Sequence, residues 1–331
     1  MCGGMWLLLA ITVSVSALGG CTPDRFQGVV DDAGRRVEIP SAPQRIIALD
    51  SSSIEILFGL GLGDRVVGRP EHLEFPPEAL KVADVGDINN PDIEKMVGLK
   101  PDFVMITSSE GFRDWVPQAE ESGLKVLTFD YPSDLHEVFE HIKQVGKMVG
   151  SGDAAVTLAS DLQHQADVVA SRVEGLSEGE KPRVLVITYF GAKLGTYGDR
   201  SREGDLVRLT GGRKVLADRL PASEGKSAYF GYVSPEAVVE QNPQVVVVLY
   251  SKQGEDDKKA ATAAIEQVVS TAGWGELDAV KNRHIYAIDQ QLTWANPRIV
   301  QGLEAFSSVI QKTDRVRTTN HNEQTSGSPR P

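Results

Sequence analysis

The stretch IEKMVGLKPDFVMI, residues 93 to 106, returns 142 residues later as PEAVVEQNPQVVVV, residues 235 to 248, with no gap. Glu94 falls over Glu236, Val97 over Val239, Pro101 over Pro243 and Val104 over Val246. Each copy reads as a short amphipathic helix, stopped before a proline, that feeds a buried apolar strand. The neighbours recur in the same order. An Arg-led strand precedes each copy, Arg45-Ile46-Ile47-Ala48-Leu49 and Arg183-Val184-Leu185-Val186-Ile187, and a strand closing on aspartate follows each, at Asp130 and Asp289. A helix-strand unit recurring at so long a period implies two lobes of one design. Strands alternating with helices make the lobes α/β with mostly parallel sheets, and a ligand then belongs where the strand C-termini of the two lobes face each other.

Composition agrees: 331 residues, 41% hydrophobic and 24% charged, suit two ordinary soluble domains and exclude disordered and fibrous classes. A formal charge of −12 argues against nucleic acid or anionic lipid as a partner of the body. The first twenty residues carry no charged side chain, and Trp6 to Ala17 form an apolar core of twelve residues, short for a bilayer span. Leu18-Gly19-Gly20-Cys21 follows and resembles a lipobox, whose cysteine becomes the lipidated first residue of a secreted lipoprotein. The missing Lys or Arg departs from the usual leader, and an uncleaved signal anchor is the alternative. Cys2 and Cys21 are the only cysteines, so the mature chain has none for a disulfide or thiolate metal site.

These signals divide the chain into a signal peptide (1–20), a lipidated tether (21–28), an N-terminal lobe (29–150), a connecting helix (151–177), a C-terminal lobe (178–312) and a disordered tail (313–331). Val29 to Ile39 alternates around Asp32-Ala33-Gly34 as a hairpin does. Ser51-Ser52-Ser53 offers N-caps to a helix through Leu60. Between the lobes the longest helical stretch breaks at Gly150-Ser151-Gly152. Beyond the break, Ala155, Ala159, Leu162, Ala166, Val169, Val173 and Leu176 form one apolar stripe. A helix so placed is a beam between lobes, predicting a stiff connection and modest closure. From Thr313 on the chain is polar and aperiodic.

Enzyme signatures are missing. The glycines of residues 59 to 63 close a helix instead of opening one, and G-x-G-x-x-G fails at Asp64 and Val66. Gly225-Lys226-Ser227 imitates a phosphate loop only as far as Leu220, where glycine is required, and H-E-x-x-H does not occur. A secreted scaffold is the other rival, but it needs no two matched lobes facing a cleft.

Lipobox, hairpin, PQRIIAL, the E-x-x-V-x-x-x-x-P-D-x-V element, its echo in the second lobe and the closing Asn296-Pro297-Arg298-Ile299 together resemble the solute-binding proteins of ABC importers for ferric siderophores, haem and cobalamin. The resemblance covers residues 29 to 312. It implies two Rossmann-like lobes joined by one long helix (the class III solute-binding fold), a cleft-bound cargo, a transmembrane permease as partner, and no catalysis. The expected cargo is an iron(III)-siderophore-type chelate, with cobalamin or haem as alternatives; no resident cofactor or metal and a monomer are expected. In that family one glutamate on each lobe pairs with permease arginines, and the matching positions are Glu94 and Glu236. A first-turn glutamate is also favoured by its helix dipole alone, by about 0.3–1 kcal/mol. Candidates for the ligand site, on strand-end loops, are Arg69, Tyr131, Tyr189, Phe190, Tyr229, Tyr232, Trp294 and Arg298. The aromatics would wall the cargo and the arginines would pair with chelate oxygens, unless they serve exposed salt bridges; Tyr189 and Phe190 equally suit packing under the sheet. His72 is the only histidine on an expected cleft loop. His136 and His141 lie five apart on a helix and share no face.

Overall fold

The computed structural model describes residues 26–107, 114–216, 220, 229–252 and 256–325. The leader with Cys21, Ser108-Ser109-Glu110 and Gly225-Lys226-Ser227 lie outside them. In chain order, β1 (Phe26–Val30) and β2 (Arg36–Pro40) form the expected antiparallel hairpin. The N-terminal lobe then runs through β3 (Ile46–Ala48), α1 (Ser51–Gly59), β4 (Val66–Arg69), β5 (Ala83–Asp84), β6 (Gly86–Asp87), β7 (Asn90–Pro91), α2 (Ile93–Gly98), β8 (Phe103–Thr107), α3 (Val116–Glu121) and β9 (Val126–Phe129). Its five-stranded sheet has the order β5-β4-β3-β8-β9 and is parallel throughout. Such a sheet is covered on both faces, which is why Phe103 to Ile106 are all buried.

Two helices follow, α4 (Leu135–Met148) and α5 (Gly152–Ser171). A Cβ at Gly146 would collide with Ala155, so glycine is what lets them meet this closely. Ala155, Ala159, Leu162, Ala166 and Val169 are buried along α5 as the stripe requires, but the helix ends at Ser171 and leaves Val173 and Leu176 half-buried beyond it.

The C-terminal lobe contains β10 (Arg183–Phe190), β11 (Lys193–Tyr197), α6 (Arg202–Leu209), β12 (Arg213–Lys214), β13 (Phe230–Tyr232), α7 (Pro235–Gln241), β14 (Val245–Tyr250), α8 (Asp257–Val269), α9 (Asp278–Lys281), β15 (Ile285–Asp289) and α10 (Ile299–Thr325). The sheet order is β13-β11-β10-β14-β15 with β12 beside β10. β10, β14 and β15 are parallel, but β11 and β13 run antiparallel at one edge. Helix α10 continues through Thr325 into the stretch expected as a tail. Nothing between Ile310 and Thr325 is proline or glycine, and each added residue propagates the helix with one more hydrogen bond.

The repeat has a physical content. The N–H of Arg45 donates to Asp102 Oδ2 (2.9 Å) and that of Arg183 to Gln244 Oε1 (3.1 Å), the acceptors being related by the 142-residue offset. Arg45 Nη2 donates to the Leu99 carbonyl (2.6 Å) and Arg183 Nη2 to the Asn242 carbonyl (2.8 Å), so each strand's leading arginine caps the C-terminus of α2 or α7. Both helices are left through a residue with positive φ, Lys100 (48°) and Asn242 (41°).

One buried cluster runs from Ile46 and Phe103 in the first lobe through α4 and α5 to Val184, Val245 and α10 in the second. The lobes therefore share a core along the beam, and Arg172 beyond α5 adds a bidentate pair to Glu304 on α10 (2.6 and 2.7 Å).

A cleft between the lobes as candidate binding site

A cavity of 240 Å³ opens where the expected strand ends converge. Leu49, Asp50 and Ser51 come from the end of β3 and the start of α1, Pro70, Glu71 and His72 from the loop after β4, Asp87 and Ile88 from the β6–β7 hairpin, and Tyr131 from the loop after β9. The second lobe contributes Trp294, between β15 and α10. This is the position that parallel sheets reserve for ligands.

Asp50 forms the floor. It is the N-cap of α1 in place of the expected serines, because its carboxylate reaches three donors at once: Ser53 N (2.8 Å), Ser53 Oγ (2.6 Å) and Thr107 N (2.7 Å). Burial pushes its pKa up, and these hydrogen bonds pull the other way. Behind it Thr107 Oγ1 lies 3.1 Å from His141 Nε2, and burial pushes that imidazole down to about 4, so it is neutral at pH 7. Burial, and then the charge of Asp50, raise the Tyr131 phenol well above its usual range, leaving it a neutral hydroxyl.

Arg202 lies beneath Tyr131. It is only 5% exposed, donates through Nε to the Thr293 carbonyl (2.8 Å) and through Nη1 to the Pro132 carbonyl, and has the rings of Tyr131 and Tyr229 at 5.1 and 5.3 Å. Glu203 beside it accepts from Thr293 Oγ1 (2.9 Å) and from the Tyr229 hydroxyl (3.4 Å). Pro132 belongs to the first lobe and Thr293 to the second, so this buried cation stitches them together under the cleft.

A second stitch carries Arg298. Its Nε and Nη2 bind Glu55 Oε2 and Oε1 (2.7 and 2.6 Å), its guanidinium lies 4.2 Å from the Phe75 ring centroid, and Asn296 Nδ2 also reaches Glu55 (3.2 Å). Gln291 Nε2 donates to Glu74 Oε2 at 2.7 Å close by. Burial raises the pKa of Glu55, and Arg298 opposes that shift.

Of the eight residues expected at the ligand site, Tyr131 and Trp294 stand in the cavity wall. Tyr229 and Arg298 lie one layer back in the two stitches. Arg69 Nη1 donates to the carbonyls of Pro70 (2.8 Å) and Glu71 (3.3 Å), so it shapes the loop that lines the cavity and is not part of the wall itself. Tyr189 and Tyr232 border a different cavity, 440 Å³, whose lining comes from the second lobe alone. Tyr189 lies 3.2 Å from Thr271 Oγ1 there, and Phe190, half exposed, packs edge-on against Phe230. The smaller cavity is the better candidate because both lobes build it.

Sequence reasoning overlooked Asp50, Glu71 and Asp87 in the wall and Arg202 beneath it. The Leu-Asp-Ser junction before an apolar helix was a usable signal for Asp50; nothing local marked Arg202. His72 does line the cavity, and its side chain, 82% exposed, has Nε2 2.6 Å from Glu71 Oε1. Together Glu71, His72 and Asp87 bring one nitrogen and two carboxylate oxygens within 4.8 Å of one another, donors able to hold a metal or accept hydrogen bonds. Glu94 and Glu236 are exposed, each at the second helical position after its cap, Asp92 for α2 and Ser234 for α7. The Glu236 carboxylate is held below its usual range by its own N–H and by Ser234.

The periplasmic binding protein family model matches residues 46–292. An uncharacterized ABC transporter substrate-binding lipoprotein, YvrC, of Bacillus subtilis is 28% identical over 93% of this chain and 96% of its own length. The petrobactin-binding protein YclQ of the same organism is 26% identical over 83% of each. Among solved structures, the haem-binding protein RhuT of Roseiflexus superposes with a TM-score of 0.69 at 22% identity, covering 82% of this chain and 99% of that one. These relatives are solute-binding proteins, not enzymes. The chain belongs to the periplasmic binding protein family, among the substrate-binding proteins of ABC transporters.

Proposed function

We propose that the protein captures a metal chelate outside the cytoplasm, an iron(III)-siderophore first, and delivers it as a monomer to its permease while a lipid on Cys21 holds it at the membrane. The observation that carries this reading is the cavity built by both lobes, with Tyr131 from one and Trp294 from the other in its wall. At 240 Å³ it is smaller than a typical ligand pocket, so a chelate seats one face there and leaves the rest to the open cleft. The wall is carboxylate-rich: Asp50, Glu71 and Asp87 line it, while Arg69 and Arg298 are engaged elsewhere. Such a wall suits a neutral ferric chelate with hydrogen-bond donors better than a polyanionic one. The same acceptors favour a second reading, an amide-rimmed corrinoid, and His72 keeps haem as a third.

Tryptophan fluorescence of the chain without its leader, titrated with a ferric hydroxamate, a ferric catecholate, cobalamin and haemin, tests the cargo. Saturable sub-micromolar quenching by one of them, blunted in Trp294→Phe and weakened in Tyr131→Ala, is the expected result. A folded protein that answers none of the four overturns the chelate reading. For delivery, Glu94→Ala with Glu236→Ala should abolish uptake and leave cargo affinity unchanged; affinity lost with uptake would place these residues in the cleft or the fold. Metabolic labelling with a fatty acid, lost in Cys21→Ala, tests the anchor.

A further inference from the structure

The helices that carry Glu94 and Glu236 repeat more than the acid. Met96 and Val238, at matching positions, are fully buried, whereas the next residues, Val97 and Val239, are left 40% and 41% exposed. Among the exposed large apolar side chains of the described residues, this pair alone is related by the 142-residue offset. A residue three positions after another shares its helix face, so each valine stands beside its glutamate. Both helices are fixed at both ends by the same devices: an Asp92 or Ser234 cap, an arginine from the neighbouring strand on the last carbonyls, and a left-handed exit at Lys100 or Asn242. One exposed valine needs no explanation. Two, equally exposed at the same distance from the same acid in both lobes, form a pattern.

We propose that Glu94 with Val97, and Glu236 with Val239, are two copies of one docking footprint whose occupant is the extracytoplasmic face of the permease. Each half of that face meets the carboxylate with a cation and the valine with an apolar side chain. The inference rests on the docking reading above and adds what a pair of solvated carboxylates does not supply. Exposed ion pairs orient a partner and speed its arrival but hold it weakly, and dwell time comes from the apolar contact that loses its water.

The test is binding of the soluble protein to its permease in lipid nanodiscs, with the urea midpoint measured in parallel. Val97→Ser and Val239→Ser should each weaken binding about tenfold and the double variant about a hundredfold, since distant independent sites add, while the urea midpoint stays put. If the valine double variant binds like the parent and Glu94→Ala with Glu236→Ala does not, the footprint is acid only and the proposal falls. If neither pair matters, the docking reading itself falls. An effect confined to one valine refutes the equivalence, and a lowered urea midpoint makes the valines structural.

Discussion

Arg298→Ala should damage the fold before it damages the cleft. Glu55 is 4% exposed and its two oxygens receive Arg298 at 2.6 and 2.7 Å, so truncating the arginine strands a buried carboxylate. Removing one partner of a buried pair costs about 3–5 kcal/mol, a large part of the roughly 5–15 kcal/mol that holds a domain folded. The pH dependence identifies the cause. Burial already raises the pKa of Glu55, and in the variant the opposing influence of Arg298 is gone, so the carboxyl takes up a proton more readily in the folded state. A raised folded pKa gives stability that is present below the unfolded value of about 4.3 and lost as pH rises through the folded one. The variant's deficit should therefore be largest at neutral pH and shrink towards pH 4. Urea denaturation between pH 4 and 8 measures it, and Glu55→Leu with Arg298→Met should recover most of the loss by removing both charges. A deficit under about 1 kcal/mol, or one that does not change with pH, would refute the reasoning.

Three further outcomes follow from the same structure. His141 sits near pKa 4 in the fold against about 6.5 unfolded, so its contribution is complete above pH 6.5 and lost as pH falls towards 4; that acid loss, about 3 kcal/mol, should flatten in His141→Phe. Asp31 is lowered despite burial, which raises it, because Arg35 and Thr128 hydrogen-bond its carboxylate. Asp31→Asn should therefore cost about 1–3 kcal/mol at neutral pH, and thermal melts of variant and parent should converge as pH drops below about 4. Arg202→Met should retain the chain's secondary structure while speeding amide exchange in residues 131–135 and 290–296, where it joins the lobes; unchanged exchange would remove it as a stitch.

The repeat was legible because its parts are local: a helix start, a stop before proline and an apolar strand leave marks within fourteen residues. What the sequence hid is long-range pairing. Glu55 and Arg298 are 243 residues apart, and the loop position of Arg298 told nothing of a helix residue waiting for it. Where the aromatics end up has a topological reason. Tyr189 and Phe190 suited either a cleft loop or packing under the sheet in the sequence, and β10 turns straight back into antiparallel β11, which puts both at the turn of that hairpin. Tyr232 ends β13, an edge strand of the same sheet. Tyr131 and Trp294 come to the wall of the cavity between the lobes because β9 and β15 each pair parallel to a neighbouring strand and end there.

That interface also decides how such a receptor can move. A hinge opening freely for its cargo would have to break the Glu55–Arg298 pair, the Gln291–Glu74 bond and the bond from Arg202 to the Pro132 carbonyl, and then part a core that runs unbroken along α4, α5 and α10. Each charged bond opened in a buried setting costs on the order of 1–3 kcal/mol, so wide opening is a minor state and the cleft is largely formed before cargo arrives. Preformed walls cut the ordering cost of binding. They also keep α2 and α7 at one spacing whether the cleft is full or empty, so a permease contacting both lobes meets the same pair of footprints in either state. Discrimination between loaded and empty receptor must then come from small shifts or from the cargo itself at the cleft mouth, and small-angle scattering with and without cargo should show a change in radius of gyration under about 1 Å.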